Sequence, residues 1–220
     1  MSLTLYYHPL ASYCHKVLIA LYENGTEFEK KLVDLGDAQQ RAELQALWPL
    51  AKFPVIRDHA RGIDLPETSV IIEYLDRFFP GPRPLVPHDW GEALEARLWD
   101  RVFDNHVQGP MQEIVNDRLR GTNNDMGHAR AALDTAYAVI DRQLGDHEWI
   151  VGDDFGLADC AAAPALFYAS TLRPFPAGCD RLAAYFERLV ERPSVKRTLD
   201  EAKPWFRFYP FAETIPQRFR

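Results

Sequence analysis

The chain has 220 residues and a net charge of −7, and 47% of its residues are hydrophobic. A chain of this length can bury a substantial core, in one large domain or in two of moderate size. The acidic balance gives no attraction to a polyphosphate backbone or to an anionic membrane surface, so we expect no nucleic-acid partner.

Neither a membrane span nor a metal site is predicted. No basic and then apolar leader follows Met1, and the most apolar stretch, residues 157–169, is short and contains Asp159 and Pro164. The three cysteines lie far apart, and no two of the seven histidines have metal-ligand spacing. We therefore expect a cytoplasmic protein that needs no metal and does not bind a membrane.

The first half of the chain alternates between strand and helix patterns. Alternating apolar residues predict a strand over residues 3–7, and apolar residues at helical spacing predict a helix over residues 14–22. Residues 28–33 predict a second strand, and a capping-box pattern opens a helix over residues 37–48.

A hairpin that leads into a helix follows. A proline-led strand is predicted over residues 53–57, a turn over residues 59–62, and a second strand over residues 63–65. Apolar residues at helical spacing continue from Thr68. The resulting order, β-α-β-α-β-β-α, is that of a thioredoxin-like domain.

This hairpin and helix create a place for a small zwitterion. The free N–H groups at the helix start favour a carboxylate, and Glu67, just ahead of them, could hold an ammonium group. Phe53 precedes a proline and is therefore held extended, so that its N–H and C=O can pair with a peptide-like ligand. The pattern suits a small peptide.

The segments KFPVI at residues 52–56 and ETSVIIEYL at residues 67–75 resemble the glutathione-binding half of the glutathione transferase superfamily. The resemblance implies a thioredoxin-like domain joined to an all-α domain. It also implies that Pro54 is cis and that the Phe53 backbone pairs with the cysteinyl unit of glutathione. In the same way, Lys52 would reach the glycyl carboxylate, and Glu67 and Thr68 would hold the γ-glutamyl group.

The second half of the chain is predicted to be helical. We expect a glutathione-binding domain over residues 1–80, a proline-rich linker over residues 81–90 and a helical domain over residues 91–220. The apolar positions mark a long helix from residue 94 to residue 119, which Gly109-Pro110 should kink or break. Further helices are expected from about residue 125 to residue 144 and before Pro193.

Two motifs of this half also resemble the family. VGDDFGLAD at residues 151–159 is similar to its V-G-x-x-x-S/T-x-A-D segment, and ERPSV at residues 191–195 is similar to a late turn. Gly156 stands where Ser or Thr is usual. Asp159 can still accept the backbone N–H at the helix start, while the reciprocal side-chain bond is absent, at a cost of a few tenths of a kcal/mol.

A glutathione transferase must favour the glutathione thiolate. Lowering the thiol pKa by two units needs roughly 2.7 kcal/mol of preferential stabilisation of the anion, which a hydroxyl donor beside a helix N-terminus can supply. The Ser or Cys of the family's Ser/Cys-type classes aligns with Ala11, which has no functional group. Ser12 is the predicted donor, with Tyr7 and Cys14 as alternatives.

These residues also have structural interpretations. Ser12 before a helix is by default an N-cap, Tyr7 could be a packed strand aromatic, and Cys14 shares an apolar helix face and could be a buried, inert thiol. His8 and His15 are expected to be solvated.

We expect the second substrate, a small hydrophobic electrophile, to bind where the two domains meet. The candidate lining residues are Leu10, His106, Met111 and Phe208. The aromatic tail at residues 205–209 is too apolar for a solvated terminus, so it should fold back on the protein.

The sequence therefore predicts a glutathione transferase of bacterial, Ser/Cys-type character and unassigned class, active in detoxification. The resemblance implies a homodimer with glutathione as co-substrate, adding it to an electrophile or reducing a peroxide. Two alternatives stay open: a binding or regulatory module without turnover, and a glutathione-dependent isomerase. The isomerase's S-S-C-x-W run is not matched at residues 11–15.

Overall fold

The computed structural model describes residues 2–220, and the chain divides into two compact units between Leu85 and Val86. The first unit has the predicted element order, with boundaries that differ by one or a few residues. Its elements are β1 (Leu3–Tyr7), α1 (Ser12–Glu23), β2 (Glu29–Leu32), α2 (Ala38–Leu47), β3 (Val55–Asp58), β4 (Ile63–Leu65) and α3 (Thr68–Phe78).

The four strands form one mixed sheet in the order β2-β1-β3-β4. Strand β1 runs parallel to β2 and antiparallel to β3, with Tyr6 opposite Val55. Antiparallel pairing places the end of one strand beside the start of the other. The residues that follow β1 therefore lie next to those that precede β3.

Apolar side chains hold helices against this sheet. Tyr6, Val33, Leu44 and Val55 form a buried cluster, and Leu44 is the one residue of α2 that is buried. The start of α2 is capped as predicted, because the Asp37 side chain accepts the Gln40 N–H at 2.9 Å. Helix α1 packs against α3, so the first turns of these two helices belong to the same layer.

The second unit is helical, as predicted. Its helices are α4 (Trp90–Val102), α5 (Gly109–Arg120), α6 (Gly127–Leu144), α7 (Leu157–Leu172), α8 (Asp180–Glu191) and α9 (Pro193–Ala202), and three short 3-10 turns follow at Lys203–Phe208, Ala212–Thr214 and Gln217–Phe219. The predicted long helix is interrupted ahead of Gly109-Pro110 by a π-helical segment, Phe103–Gln108. We define this as the π segment.

Helix α7 is buried along most of its length, and Asp159 ties its start to the rest of the unit. The carboxylate accepts the N–H groups of Gly156 and Ile150 at 2.9 and 3.2 Å and the hydroxyl of Tyr185 at 2.5 Å. The expected bond from Asp159 to the helix start is thus confirmed. Burial raises the pKa of Asp159 to about 6, although the three donors act in the opposite direction.

Among residues 2–220, no helix combines the length and the apolar character that a bilayer span requires. The three cysteines, Cys14, Cys160 and Cys179, are buried, and none of them forms a disulfide.

Candidate functional site

The end of β1 and the start of β3 bring His8 against Phe53. Their rings are stacked, with centroids 5.9 Å apart and planes inclined by 18°. The Phe53–Pro54 peptide bond is cis, as the family resemblance implied. Phe53 is partly buried at the edge of the core cluster, while Lys52 beside it is exposed.

A network of hydrogen bonds fixes the loop between β1 and α1. The Leu10 N–H donates to Nδ1 of His8 at 3.2 Å, and the Ala11 N–H donates to the His8 carbonyl at 3.0 Å. Nε2 of His15 donates to the carbonyl of Pro9 at 2.5 Å. The loop therefore presents the start of α1 in one defined position.

The expectation that His8 and His15 are solvated is wrong for His15, whereas His8 is partly exposed. His15 is 1% exposed, and its ring donates to the carbonyl of Pro9 in the loop. His8 is half-buried, and burial lowers its pKa while the charge on Asp34 opposes that shift. A neutral ring also fits the hydrogen bond that Nδ1 accepts.

Ser12 is the first residue of α1 and is buried. The expectation that it serves as the N-cap is wrong: Ala11 occupies that position, with extended backbone angles of φ −79° and ψ 115°, and no side chain caps the helix. The helix start therefore lacks the usual side-chain acceptor for its N–H groups. The Ser12 hydroxyl lies in the first turn, close to these groups.

The two alternatives to Ser12 have different environments. Tyr7 is half-buried at the end of β1. The Cys14 side chain is fully buried, and its sulfur accepts the His8 N–H at 3.5 Å. Burial raises the pKa of the Cys14 thiol well above its usual range, so this thiol stays protonated and is a poor nucleophile.

The start of α3 has an unusual backbone. Glu67 precedes the helix with φ 68° and ψ 110°, in a region that residues other than glycine rarely adopt. Such a conformation costs about 1–3 kcal/mol and persists only where the surroundings enforce it. Thr68, the first residue of α3, is buried.

The polar groups predicted to hold a ligand here have no partner of their own. Within residues 2–220, the Glu67 carboxylate, the Thr68 hydroxyl and the Lys52 ammonium make no hydrogen bond or ion pair. Protein side chains that bind one another are not available to a ligand, whereas these three are. The start of α3 thus offers an anion, a hydroxyl and backbone N–H groups side by side.

Sequence reasoning missed Lys16 and Ser69. Lys16 is 1% exposed, and its Nζ donates to the Ser69 hydroxyl at 3.1 Å. The available signal was its position, because Lys16 lies one turn after Ser12 on the same side of α1.

The predicted lining residues are distributed over both units. Leu10 is half-buried in the loop of the first unit. In the second unit, His106 is exposed in the π segment, Met111 is 3% exposed in α5, and Phe208 is 59% exposed. Over residues 2–220, no group of three or more His, Cys, Asp or Glu side chains is arranged to hold a metal ion.

The aromatic tail folds back, as predicted, onto helix α7 of its own unit. Phe206 stacks on Phe167 with centroids 5.7 Å apart, and Phe219 contacts the same ring edge-on at 5.2 Å. The Tyr209 and Thr171 hydroxyls are 3.2 Å apart.

Comparison with known families agrees with this architecture. The glutathione S-transferase N-terminal domain matches residues 1–77, and the C-terminal domain of the same family matches residues 92–188. The chain belongs to the glutathione S-transferase family. The predicted fold class, a thioredoxin-like domain followed by an all-α domain, is thereby confirmed.

Several relatives of this glutathione S-transferase family member cover nearly the whole chain. A stringent starvation protein A homolog from Coxiella burnetii is 31% identical over 203 residues, which are 91% of this chain and 93% of the relative. A glutathione S-transferase-like protein from a Fusarium species is 30% identical over 195 residues, which are 82% of this chain and 85% of the relative.

Solved structures show the same fold. A glutathione S-transferase from Methylobacterium radiotolerans, in complex with glutathione sulfonate, is 30% identical, with a TM-score of 0.77 and coverage of 89% of this chain and 93% of that one. A delta-class glutathione transferase from Nilaparvata lugens has a TM-score of 0.84 at 20% identity and covers 99% of this chain and 100% of its own.

Proposed function

We propose that this family member is a glutathione transferase. It binds glutathione in the first unit, stabilises the thiolate, and adds it to a small hydrophobic electrophile or uses it to reduce a peroxide. The 30% identical relative from Methylobacterium radiotolerans, whose structure contains glutathione sulfonate, supports this choice of ligand.

The observation that carries the proposal is the start of α3. Glu67 is held in a strained conformation, yet within residues 2–220 its carboxylate has no partner. Strain of this kind clusters at functional sites, and a carboxylate beside a helix start can hold an ammonium while the helix N–H groups hold a carboxylate. An amino-acid head group such as γ-glutamate carries both charges.

The remaining groups suit the rest of the tripeptide. The extended backbone at Phe53 pairs with the cysteinyl unit, and Lys52 reaches the glycyl carboxylate. Ser12 and the backbone N–H groups in the first turn of α1 then lie where they can stabilise the thiolate. No metal takes part in this scheme.

Binding can be tested with Glu67→Ala in isothermal titration calorimetry. Removing the carboxylate should weaken glutathione binding at least about tenfold, since hydrogen bonds to charged groups are worth about 1.5–3 kcal/mol. Glu27→Ala is the control, because Glu27 is an exposed acid of the same unit outside the site. Equal affinity of Glu67→Ala and the wild-type protein would refute the site.

The thiol-activating group can be identified by comparing Ser12→Ala with Tyr7→Phe. If Ser12 is the donor, Ser12→Ala should raise the pKa of bound glutathione by about one to two units and slow conjugation at neutral pH, because a thiolate hydrogen bond is lost. Thiolate absorbance in a pH titration measures that pKa. A shift in Tyr7→Phe and none in Ser12→Ala would assign the role to Tyr7.

A second candidate function is a binding module that retains glutathione without turnover. Ala11 favours it, because the residue that aligns with the catalytic position of the Ser/Cys-type classes has no functional group. Retention on immobilised glutathione, combined with no conjugation of several electrophiles and no peroxide reduction, would select this candidate over the transferase.

We also propose that the protein is a homodimer, as the family resemblance implies. Three exposed apolar residues, Trp90, Leu94 and Leu98, recur every four residues on one face of α4 and are 74%, 50% and 57% exposed. An apolar row of this kind is typical of a protein contact surface.

A further inference from the structure

Lys16 is a buried cation placed between two helix starts of the candidate site. It lies one turn after Ser12 in α1, on the same side of the helix, and its Nζ contacts Ser69 in the first turn of α3. Of the lysines and arginines in residues 2–220, Lys16 is the one that is buried.

A buried ammonium is costly unless it is paired and hydrogen-bonded. Methionine or leucine would fill a similar volume among the apolar neighbours of α1 without removing a charge from water. The hydrogen bond from Nζ to the Ser69 hydroxyl fixes where this charge lies, next to the first turn of α3.

The location of the charge points to an anionic ligand. The positive end of a helix dipole lies at the N-terminus, so a cation beside the first turn of α3 is unfavourable for that helix in isolation. Near a site that receives a carboxylate the same cation is favourable, because it adds to the potential of the helix N–H groups.

The contact between Lys16 and Ser69 also affects Glu67, the residue with the strained backbone. Ser69 is two residues after Glu67, and the Ile71 N–H donates to the Glu67 carbonyl at 2.8 Å, so Glu67, Thr68 and Ser69 all belong to the first turn of α3. The hydrogen bond from Lys16 in α1 to Ser69 holds the first turn of α3 in place and so opposes a change in its backbone conformation. Without that bond, Glu67 can return to a negative φ and turn its carboxylate away from the ligand.

We propose that Lys16 is a positioning residue for glutathione binding. Through Ser69 it holds the first turn of α3 in the conformation in which Glu67 and Thr68 grip the γ-glutamyl group, and its charge favours the carboxylate of that group. This inference rests on the proposed function of the same site.

The test compares Lys16→Met, Ser69→Ala and the double variant by calorimetry with glutathione and by steady-state kinetics. Lys16→Met should raise the Kd and KM for glutathione about tenfold, while kcat at saturating glutathione and KM for the electrophile change less than about twofold. Ser69→Ala should raise the glutathione Kd about threefold. Because the two residues act as a unit, the double variant should match Lys16→Met alone.

Lys196→Met, an exposed lysine of the second unit, controls for the change in net charge. A general loss of structure would lower kcat and affect both substrates, whereas the proposed role affects glutathione alone. Ser69→Ala removes one hydroxyl and keeps the ammonium, so it tests the proposal even if Lys16→Met does not fold.

Two results would overturn the inference: a Ser69→Ala variant that binds glutathione with the wild-type Kd, or a Lys16→Met variant that lowers kcat and leaves KM for glutathione unchanged. If Glu67→Ala still weakens glutathione binding in that case, the proposed function stands and only the role of Lys16 is refuted. If the wild-type protein itself does not bind glutathione, the proposed function fails and this inference fails with it.

Discussion

Glu67 and Asp159 are two acidic residues whose surroundings give them opposite roles. Glu67 is exposed and strained, and within residues 2–220 its carboxylate has no partner, which makes it available to a ligand. Asp159 is fully buried and accepts three hydrogen bonds, which makes it part of the framework of the second unit. An acidic side chain is thus proposed to serve ligand binding in one place and contributes to the framework in the other.

The raised pKa of Asp159 predicts a pH dependence of stability. Its folded-state pKa of about 6 lies above the unfolded value of about 3.9, so the folded protein binds this proton more readily. The stability that proton binding at Asp159 contributes is therefore fully present below about pH 4 and is lost as the pH rises through about 6. Two pKa units correspond to about 2.7 kcal/mol.

Asp159→Asn, which cannot ionise, isolates this effect in urea unfolding followed by tryptophan fluorescence. The stability of the wild-type protein minus that of the variant should fall by about 2–3 kcal/mol between pH 4 and pH 7. Asp134→Asn is the control. Because Arg173 lowers the pKa of Asp134, the stability of the wild-type protein minus that of Asp134→Asn should change little above pH 5. A difference for Asp159→Asn that rises with pH would mean that the three donors outweigh burial.

At the scale of elements, the last turns of the chain complete the core around α7. Phe206 and Phe219 contact Phe167 from two directions, and Arg218 pairs with Glu187 of α8 through two bonds of 2.6 Å. The ion pair is exposed and contributes little, so the aromatic contacts provide most of the attachment.

Phe206→Ala should therefore destabilise the protein by about 3–5 kcal/mol, since Phe206 is 4% exposed and truncation leaves a cavity against Phe167. Phe208→Ala is a matched control two residues away: Phe208 is 59% exposed, and its loss should change the unfolding free energy by less than about 0.5 kcal/mol. Urea unfolding measures both. Similar losses in the two variants would show that the tail is not anchored through Phe206.

Element order could be predicted from the sequence because strand and helix periods differ clearly. The interruption of the long helix could be located at Gly109-Pro110, but its form could not. A π-helical stretch needs few residues and follows from tertiary packing, so hydrophobic periodicity does not separate it from a kinked α-helix.

Within the candidate site, the segments at Lys52 and Glu67 could be identified from a motif, whereas the burial of His15 and Lys16 could not. Both are polar residues in a helix, and their hydrogen-bond partners lie outside it: the carbonyl of Pro9, and the hydroxyl of Ser69, which is 53 residues away from Lys16. The cap of α1 was misplaced by one residue because Ala11 adopts the extended conformation that Ser12 was expected to have.

At the scale of the whole molecule, the exposed row on α4 is the feature that a folded monomer leaves unexplained. Trp90 is a large apolar side chain that is 74% exposed, and Leu94 and Leu98 continue the row. Single exposed apolar residues are common on monomers, but a row of three on one helix face favours a contact with another protein surface. A second copy of the chain fits the family resemblance.

We therefore expect the wild-type protein to sediment with twice the chain mass of 25.3 kDa in analytical ultracentrifugation, and Leu94→Glu to shift it toward the monomer. An unpaired carboxylate in a desolvated contact is costly, whereas on an exposed monomer surface the same change costs little. Val139→Glu, at a position 46% exposed on α6, should leave the mass unchanged. A wild-type monomer would refute the homodimer, and a Leu94→Glu dimer would place the contact elsewhere than on α4.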